Sequence, residues 1–139
     1  MTQFPSSSFA TILGSDKQHK GGAFTVRSKK TGKDFTFKVT SSPYNGNVYH
    51  HVKVETQYME FQYLGFLSNN GKIIRKGQEV ASPSAVAASW VLSKIQTQDF
   101  TSLDRQVDLF HLGKCICCGR VLTDATSIEL GIGPKCRMK

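Results

Sequence analysis

The sequence lacks any apolar run near the roughly 18–20 residues that a membrane-spanning helix needs, so we expect no membrane partner. Its first nine residues lack both the basic start and the long apolar stretch of a secretory signal. It also has no low-complexity tract and no internal repeat. These absences favour a cytoplasmic protein, a setting in which thiols stay reduced. Clustered cysteines are then more often metal ligands than disulfides.

Familiar catalytic patterns are missing as well. The chain has no Ser–His–Asp arrangement, no phosphate-binding glycine loop and no metalloprotease helix. His50 and His51 are adjacent in a predicted strand, where neighbouring side chains face opposite sides, so the two cannot easily share a ligand. We therefore predict that the protein is not an enzyme and has no small-molecule substrate.

Acidic residues are few, with 10 Asp and Glu against 18 Lys and Arg, which leaves a net charge of +8. The balance is +6 over residues 1–54, −1 over 55–113 and +3 over 114–139. A chain that is basic at both ends suits a polyanionic partner, so DNA or RNA is the expected partner. The alternative is a protein-interaction module. The candidate nucleic-acid-binding residues are Arg27, Lys29, Lys30, Lys33, Lys38, Lys114, Arg120, Lys135 and Arg137.

Hydrophobic alternation predicts a sheet in the first half of the chain. Phe24 and Val26, and then Phe35 to Val39, alternate with polar neighbours, and Gly32 between them suits a hairpin turn. Short turns connect these strands to three further strand patterns at residues 48–54, 59–67 and 72–75. A meander of about five antiparallel strands follows. Because Phe24, Phe35 and Phe37 are expected to face the core, they are not expected to stack on bases.

A helix is predicted over about residues 83–95. Ser82 can cap it and Pro83 suits its first position. Trp90 lies in an apolar stripe at helical spacing, which favours core packing over base stacking. Residues 96–110 are expected to be a mixed connector. Residues 1–22 are rich in Ser, Gln, Lys and Gly and predict a flexible segment, in which only Phe4, Phe9 and Ile12 could dock.

The four cysteines of the chain all lie within 22 residues of one another near the C-terminus. Cys115 and Cys118 form a Cys-x-x-Cys pair followed by Gly119, the pattern of a zinc knuckle. Cys136 is the third candidate ligand. The fourth is His111 or Cys117, and we favour His111 because the side chain of Cys117 should point away from the pair. One structural zinc ion is the expected cofactor.

Other uses of the cysteines are less favoured. A redox pair lacks the expected thioredoxin-type surroundings. A catalytic zinc is disfavoured because four protein ligands leave no position for substrate. An iron–sulfur cluster with four cysteine ligands would need adjacent Cys117 and Cys118 to bind together. Between the ligands, Asp124 can cap a short helix from about Ala125 to Leu130, and Gly131 can end it in the left-handed conformation.

The string from His111 to Cys136, HLGKCICCGRVLTDATSIELGIGPKC, resembles a small zinc-binding module of uncharacterised phage and bacterial proteins. Its pattern is HxGxCxxCGRxLTxPxSIxxGIGPxC, and Ala125 replaces its usual proline. The resemblance implies the ligands His111, Cys115, Cys118 and Cys136, a preceding β-rich domain, and a phage protein that acts in the bacterial cytoplasm. For such a protein, the alternative of a protein-interaction module would be a phage inhibitor of a host enzyme or defence complex.

Together these observations predict an α+β fold: an antiparallel β-meander of about five strands with one packed helix, plus a small C-terminal zinc-ribbon or knuckle-like module. The predicted divisions are a flexible segment at residues 1–22, a β-rich domain at 23–108 and the zinc-binding module at 109–139.

Overall fold

A computed structural model describes residues 1–11 and 20–137 of the chain. The described chain is α+β, with eight antiparallel strands in one sheet and four α-helices. The sheet order is β1-β8-β2-β3-β4-β5-β6-β7. The strands are β1 Thr2–Gln3, β2 Lys20–Ser28, β3 Asp34–Tyr44, β4 Asn47–Gln57, β5 Glu60–Leu67, β6 Ile73–Arg75, β7 Gln78–Glu79 and β8 Val107–His111. The helices are α1 Pro83–Gln96, α2 Phe100–Gln106, α3 Ala125–Leu130 and α4 Pro134–Arg137, and a 3-10 helix spans Ser6–Thr11.

The meander predicted from alternation is present as β2 to β6. Phe24 lies opposite Phe37 in the β2–β3 pair, and both side chains are buried. Alternation therefore assigned the correct faces, because period-2 burial is what a half-buried strand requires. His50 and His51 also follow it: His50 is buried, whereas His51 lies on the opposite face. Burial, and then the nearby His51, lowers the pKa of His50.

The prediction of about five strands is wrong, since the sheet has eight strands among the described residues. Two of the additional strands, β1 and β7, have only two residues each, too few to produce an alternating pattern. The third, β8, pairs with β2 from the far end of the chain and lies where we expected a mixed connector. The same connector region contains α2, capped by the Asp99 side chain at the backbone N–H of Ser102.

The expectation of a flexible N-terminal segment does not describe residues 1–11. The rings of Phe4 and Phe9 are buried, and Phe9 packs edge-on against Phe24 with centroids 5.0 Å apart. The backbone of this segment pairs with β8, where the Phe4 N–H donates to the Leu109 carbonyl. Ile12, the third residue expected to dock, lies outside the described residues.

The helix predicted at about 83–95 is α1. The Ser82 hydroxyl accepts from the Ala85 N–H, and Pro83 occupies the first turn, as expected. Trp90 is half-buried against the core, which agrees with packing. The buried side chains of α1 join those of the sheet in one hydrophobic cluster. No helix of the described residues has the length and apolarity to span a bilayer.

The two faces of the sheet differ. All the buried apolar side chains of the sheet lie on the face that packs against α1, which we call the inner face. The other, outer face carries mostly polar, charged and aromatic side chains that are half-buried or exposed, apart from buried Thr25. The asymmetry matters because binding groups on the outer face are not needed to fill the core.

The cysteine-rich segment is joined to the sheet. The boundary predicted between residues 108 and 109 falls inside β8, which belongs to the main sheet. The cysteines also share the hydrophobic cluster of the sheet. The Gly22 N–H at the start of β2 donates to the Cys117 carbonyl over 3.1 Å. The sheet therefore supports the cysteine segment directly.

Candidate metal centre

The first two thiols are held by a tight turn. The Cys115 N–H donates to the Arg120 carbonyl, and the Gly119 N–H donates back to the Cys115 carbonyl. Gly119 has φ of 78°, a conformation that favours glycine. An antiparallel bridge between Lys114 and Val121 closes the turn. This is the knuckle that the Cys-x-x-Cys-Gly sequence predicts.

The third thiol is returned by α3 and α4. The Asp124 carboxylate accepts from the Ser127 N–H at the start of α3. Hydrogen bonds from the Ser127 side chain and then from this N–H lower the pKa of Asp124. Gly131, with φ of 73°, ends the helix, and its carbonyl accepts from the Ile116 N–H of the knuckle. Both the cap and the left-handed glycine were predicted from sequence. Cys136 then lies within α4, beside the knuckle.

The sulfurs of Cys115, Cys118 and Cys136 all lie within 4.8 Å of one another. A zinc ion with Zn–S bonds of about 2.3 Å would hold tetrahedral sulfurs about 3.8 Å apart, so the cluster fits such an ion. None of the four cysteines forms a disulfide. Three thiols this close repel one another as thiolates, and a bound cation removes that repulsion.

Two backbone N–H groups donate hydrogen bonds to the sulfur of Cys115. The N–H groups of Cys117 and Gly133 each donate to Cys115 Sγ over 3.4 Å. Burial raises the pKa of Cys115, but the N–H groups of Gly133, Cys118 and Cys117 outweigh it and lower the pKa overall. The pKa of Cys136 is raised by burial and by the neighbouring thiols Cys117 and Cys115. A metal-free cluster is therefore electrostatically unfavourable in its ionised form.

His111 is not part of the cluster. Its ring is fully buried, and its Nε2 donates to the Ile128 carbonyl over 2.6 Å. Its Nδ1 accepts from the Gly113 N–H over 3.0 Å. Because both ring nitrogens are engaged by backbone, His111 joins β8 to α3, and this geometry gives no support to the prediction that it is the fourth ligand. Sequence spacing could not reveal this, since the ring direction depends on where α3 packs.

Cys117 is not within the cluster either. Its side chain is buried, and its backbone contacts both Gly22 and Cys115. A cavity of about 180 Å³ adjoins the three clustered cysteines, and Arg120, Asp124 and Lys135 lie on its wall. Among the described Cys, His, Asp and Glu side chains, only three form a candidate ligand group. The argument that four protein ligands close the site to catalysis therefore lacks support here.

The predicted basic residues do not form one patch. The hairpin turn with Lys30 and Lys33 follows one end of β2, whereas the cysteine knuckle contacts Gly22 near the other end. From Gly22 to Lys29 the chain spans roughly 23 Å, at about 3.3 Å per residue. Lys38 lies between the two ends, opposite Ala23. Binding through these cations therefore requires an extended partner.

Several of these cations have partners within the chain. Arg27 forms a two-bond ion pair with Asp34, which lowers the pKa of that carboxyl. Lys29 Nζ lies 3.8 Å from the Asp108 carboxylate, and Arg137 donates to the Ser127 hydroxyl and to the Ile132 carbonyl. The remaining candidates form no ion pair among the described residues: Lys30, Lys33, Lys38, Lys114, Arg120 and Lys135.

Sequence reasoning missed one cation, Lys53, which the β3–β4 register places directly opposite Lys38. The signal was available, because alternation in the strand predicted at residues 48–54 puts Lys53 on the face opposite Val52 and Val54.

The comparisons with known proteins found a match only for the cysteine segment. Residues 110–139 match a family of unknown function (DUF6011), whereas no curated protein and no solved structure matches the chain. The matched segment contains all four cysteines. The C-terminal module of this chain is thus similar to the domain that defines that family.

Proposed function

We propose that this protein is a nucleic-acid-binding accessory protein whose C-terminal module is held in place by one structural zinc ion. In this proposal Cys115, Cys118 and Cys136 bind the zinc. The fourth ligand in this proposal is a water molecule, because both ring nitrogens of His111 are engaged by backbone groups and Cys117 lies outside the ligand group. The metal stabilises the fold, and surface cations on the hairpin and the module contact phosphates.

The chemistry of the thiol cluster supports zinc. Thiolate ligands select zinc, copper(I) or iron–sulfur clusters over hard cations such as magnesium, and a Cys-x-x-Cys knuckle with a return cysteine is typical of zinc. The sulfurs of Cys115 and Cys136 lie in residues that are at most 5% exposed. A metal bound this deeply stabilises the module by linking the knuckle to α4.

The observation that carries the nucleic-acid proposal is the number of cations left without an acidic partner. Lys30, Lys33, Lys114, Arg120 and Lys135 are exposed and form no ion pair among the described residues. Exposed lysines can contact phosphates and release counterions, which supplies most of the affinity of a sequence-independent binder. The net charge of +8 acts in the same direction at longer range.

The test is the salt dependence of binding to labelled DNA and RNA by the full zinc-loaded chain. We expect the logarithm of the association constant to fall linearly with the logarithm of salt concentration. The triple variant Lys30→Gln, Lys33→Gln, Lys135→Gln should flatten that slope by about 2–3, at 0.7–0.9 per lost contact. Lys76→Gln, in the β6–β7 turn, is the matched control. Absence of binding at low salt would contradict the proposal.

A second candidate function, protein binding, is favoured by a groove of about 480 Å³ between the β2–β3 hairpin and α1. Its lining is mostly apolar and includes Val26, Phe35 and Trp90, with Lys33 among its polar residues. Val86, which also lines the groove, is 57% exposed. Exposed apolar grooves commonly receive protein side chains. If this candidate holds, Val86→Asp should abolish capture of one host protein from a nuclease-treated lysate, with nucleic-acid binding absent from the outset.

A further inference from the structure

The outer face of the sheet carries two lysines in direct opposition. Lys38 on β3 is the cross-strand partner of Lys53 on β4. Like charges directly opposite one another destabilise an antiparallel pair. Neither lysine forms an ion pair among the described residues, where the ion-paired cations are Arg27, Lys29, Lys72 and Lys94. The pair therefore concentrates positive charge on the outer face with no acidic partner to neutralise it.

An aromatic ring continues the same row. Lys53 is in turn the cross-strand partner of Tyr63 on β5, so Lys38, Lys53 and Tyr63 form one line across three strands. We call this line the Lys38–Lys53–Tyr63 row. The Tyr63 side chain is 36% exposed, whereas a ring needed for the core would be buried.

The tyrosine is held in position by its neighbours. Its hydroxyl lies 2.9 Å from Nδ1 of His51, and Nε2 of the same histidine lies 2.9 Å from the Ser42 hydroxyl. Two hydrogen bonds thus fix the histidine, which in turn orients the phenol. A ring already ordered in the free protein loses little further freedom when it stacks on a ligand.

Further rings flank the row on the same face. Phe61 lies under the ammonium group of Lys38, 5.6 Å from the ring centroid, and Phe66 is the cross-strand partner of His51. A register shift between Val52 and Lys53 leaves Tyr63 and Phe66 on one face although they are three residues apart. Without this bulge, alternation would place Tyr63 and Phe66 on opposite faces.

We propose that the Lys38–Lys53–Tyr63 row binds a single-stranded nucleic acid, with phosphates at the paired lysines and a base stacked on Tyr63. This inference rests on the proposed function and narrows it to single strands and to the outer face. Cations beside exposed rings suit a single strand because its bases are free to stack, whereas those of a duplex are stacked on each other. The positive charges of Lys38 and Lys53 are complementary to the negative charges of the phosphates.

The test measures fluorescence anisotropy of the full zinc-loaded chain with labelled single strands of about 12 nucleotides, within the range of known sites. Oligo-dT and oligo-U form separate arms, and a mixed-sequence duplex is the third. The variants are Tyr63→Ala, Tyr63→Phe and Lys53→Gln. Tyr58→Ala, whose ring is 88% exposed in the β4–β5 turn, and Lys76→Gln are matched controls. Circular dichroism and bound zinc verify that each variant is folded.

We expect tighter binding to single strands than to the duplex. Tyr63→Ala should weaken single-strand binding about 5-fold or more, as loss of one stacked base does, and leave duplex binding unchanged. Tyr63→Phe should retain most of the affinity, because the ring remains. Lys53→Gln should lower the single-strand salt slope by about 0.7. Both controls should bind as the unmodified chain does.

Two results would overturn the inference while leaving the proposed function intact. One is wild-type single-strand affinity in Tyr63→Ala together with a flattened salt slope in the Lys30, Lys33, Lys135 triple variant. The other is an equal loss of single-strand and duplex binding in Tyr63→Ala. If the unmodified chain binds none of the three probes at low salt, both the inference and the proposed function fail, and protein binding takes their place.

Discussion

Replacing Gly22 by alanine tests whether the cysteine knuckle rests on the sheet as described. Gly22 lies at the start of β2, and its N–H donates to the Cys117 carbonyl. A β-carbon at this position would lie 2.1 Å from the carbonyl oxygen of Ile116 and 2.5 Å from the amide nitrogen of Cys117. Both atoms belong to the knuckle backbone, so no side-chain rotation relieves the overlap.

The expected cost follows from that geometry. Overpacking a core with one extra carbon typically costs about 1–3 kcal/mol, and the upper end applies where the obstructing atoms are backbone. For a chain of this length, about 3 kcal/mol corresponds to a fall of roughly 10 °C in the melting temperature. Moving the knuckle off β2 should also weaken zinc binding, since the thiols of Cys115 and Cys118 are positioned by that knuckle.

Thermal melting and competitive zinc chelation measure the two effects. Gly133→Ala is the matched control. A β-carbon there would meet nothing within 4 Å, and the hydrogen bond from the N–H of residue 133 to Cys115 Sγ is kept. The control should stay within about 0.5 kcal/mol of the unmodified chain. If Gly22→Ala melts at the same temperature as Gly133→Ala and holds zinc equally well, the knuckle does not pack on β2 and the reasoning is refuted.

Phe9→Ala should destabilise the chain by about 3–5 kcal/mol in urea unfolding, because the ring is buried against Phe24; a cost under about 0.5 kcal/mol would restore the flexible N-terminal segment. His111→Ala should lower the melting temperature but keep one zinc per chain by elemental analysis, and zinc loss would reinstate it as a ligand. Asp124→Ala should lower the melting temperature at neutral pH. The pKa of Asp124 in the folded chain lies below its ordinary value of 3.8. The stabilisation by the ionised carboxylate is therefore complete above pH 3.8 and is lost as the pH falls through the folded-state pKa. At that low pH, Asp124→Ala and the unmodified chain should melt at the same temperature.

Local patterns were sufficient for much of the fold. Alternation predicted β2 to β6 and the core faces of Phe24 and Phe37, because side-chain direction in a strand is set by neighbouring residues alone. The caps at Ser82 and Asp124 and the left-handed Gly131 were also predicted, since each is a short-range hydrogen-bonding requirement. The three thiols of the cluster were also predicted, because the Cys-x-x-Cys spacing already brings two of them, Cys115 and Cys118, close together.

What the sequence did not predict depends on long-range packing. Strand β8 pairs with β2 across most of the chain, and no local signal marks that pairing. The direction of the His111 ring depends on the position of the Ile128 carbonyl in α3. The outer-face arrangement of Tyr63 depends on a bulge between Val52 and Lys53, and bulges have no reliable sequence signature. Phe4 and Phe9 are buried, and Phe9 packs against Phe24 of the inner face. The polar residues around them in sequence gave no sign of this long-range contact.

Zinc X-ray absorption on the purified chain tests the central claim, a metal held by Cys115, Cys118 and Cys136 without His111. We expect three sulfur neighbours at about 2.3 Å and one lighter neighbour. The spectrum should be unchanged in His111→Ala and in Cys117→Ser, and zinc should be lost in Cys136→Ser. Four sulfurs in the unmodified chain, or an imidazole signal that disappears in His111→Ala, would contradict the account.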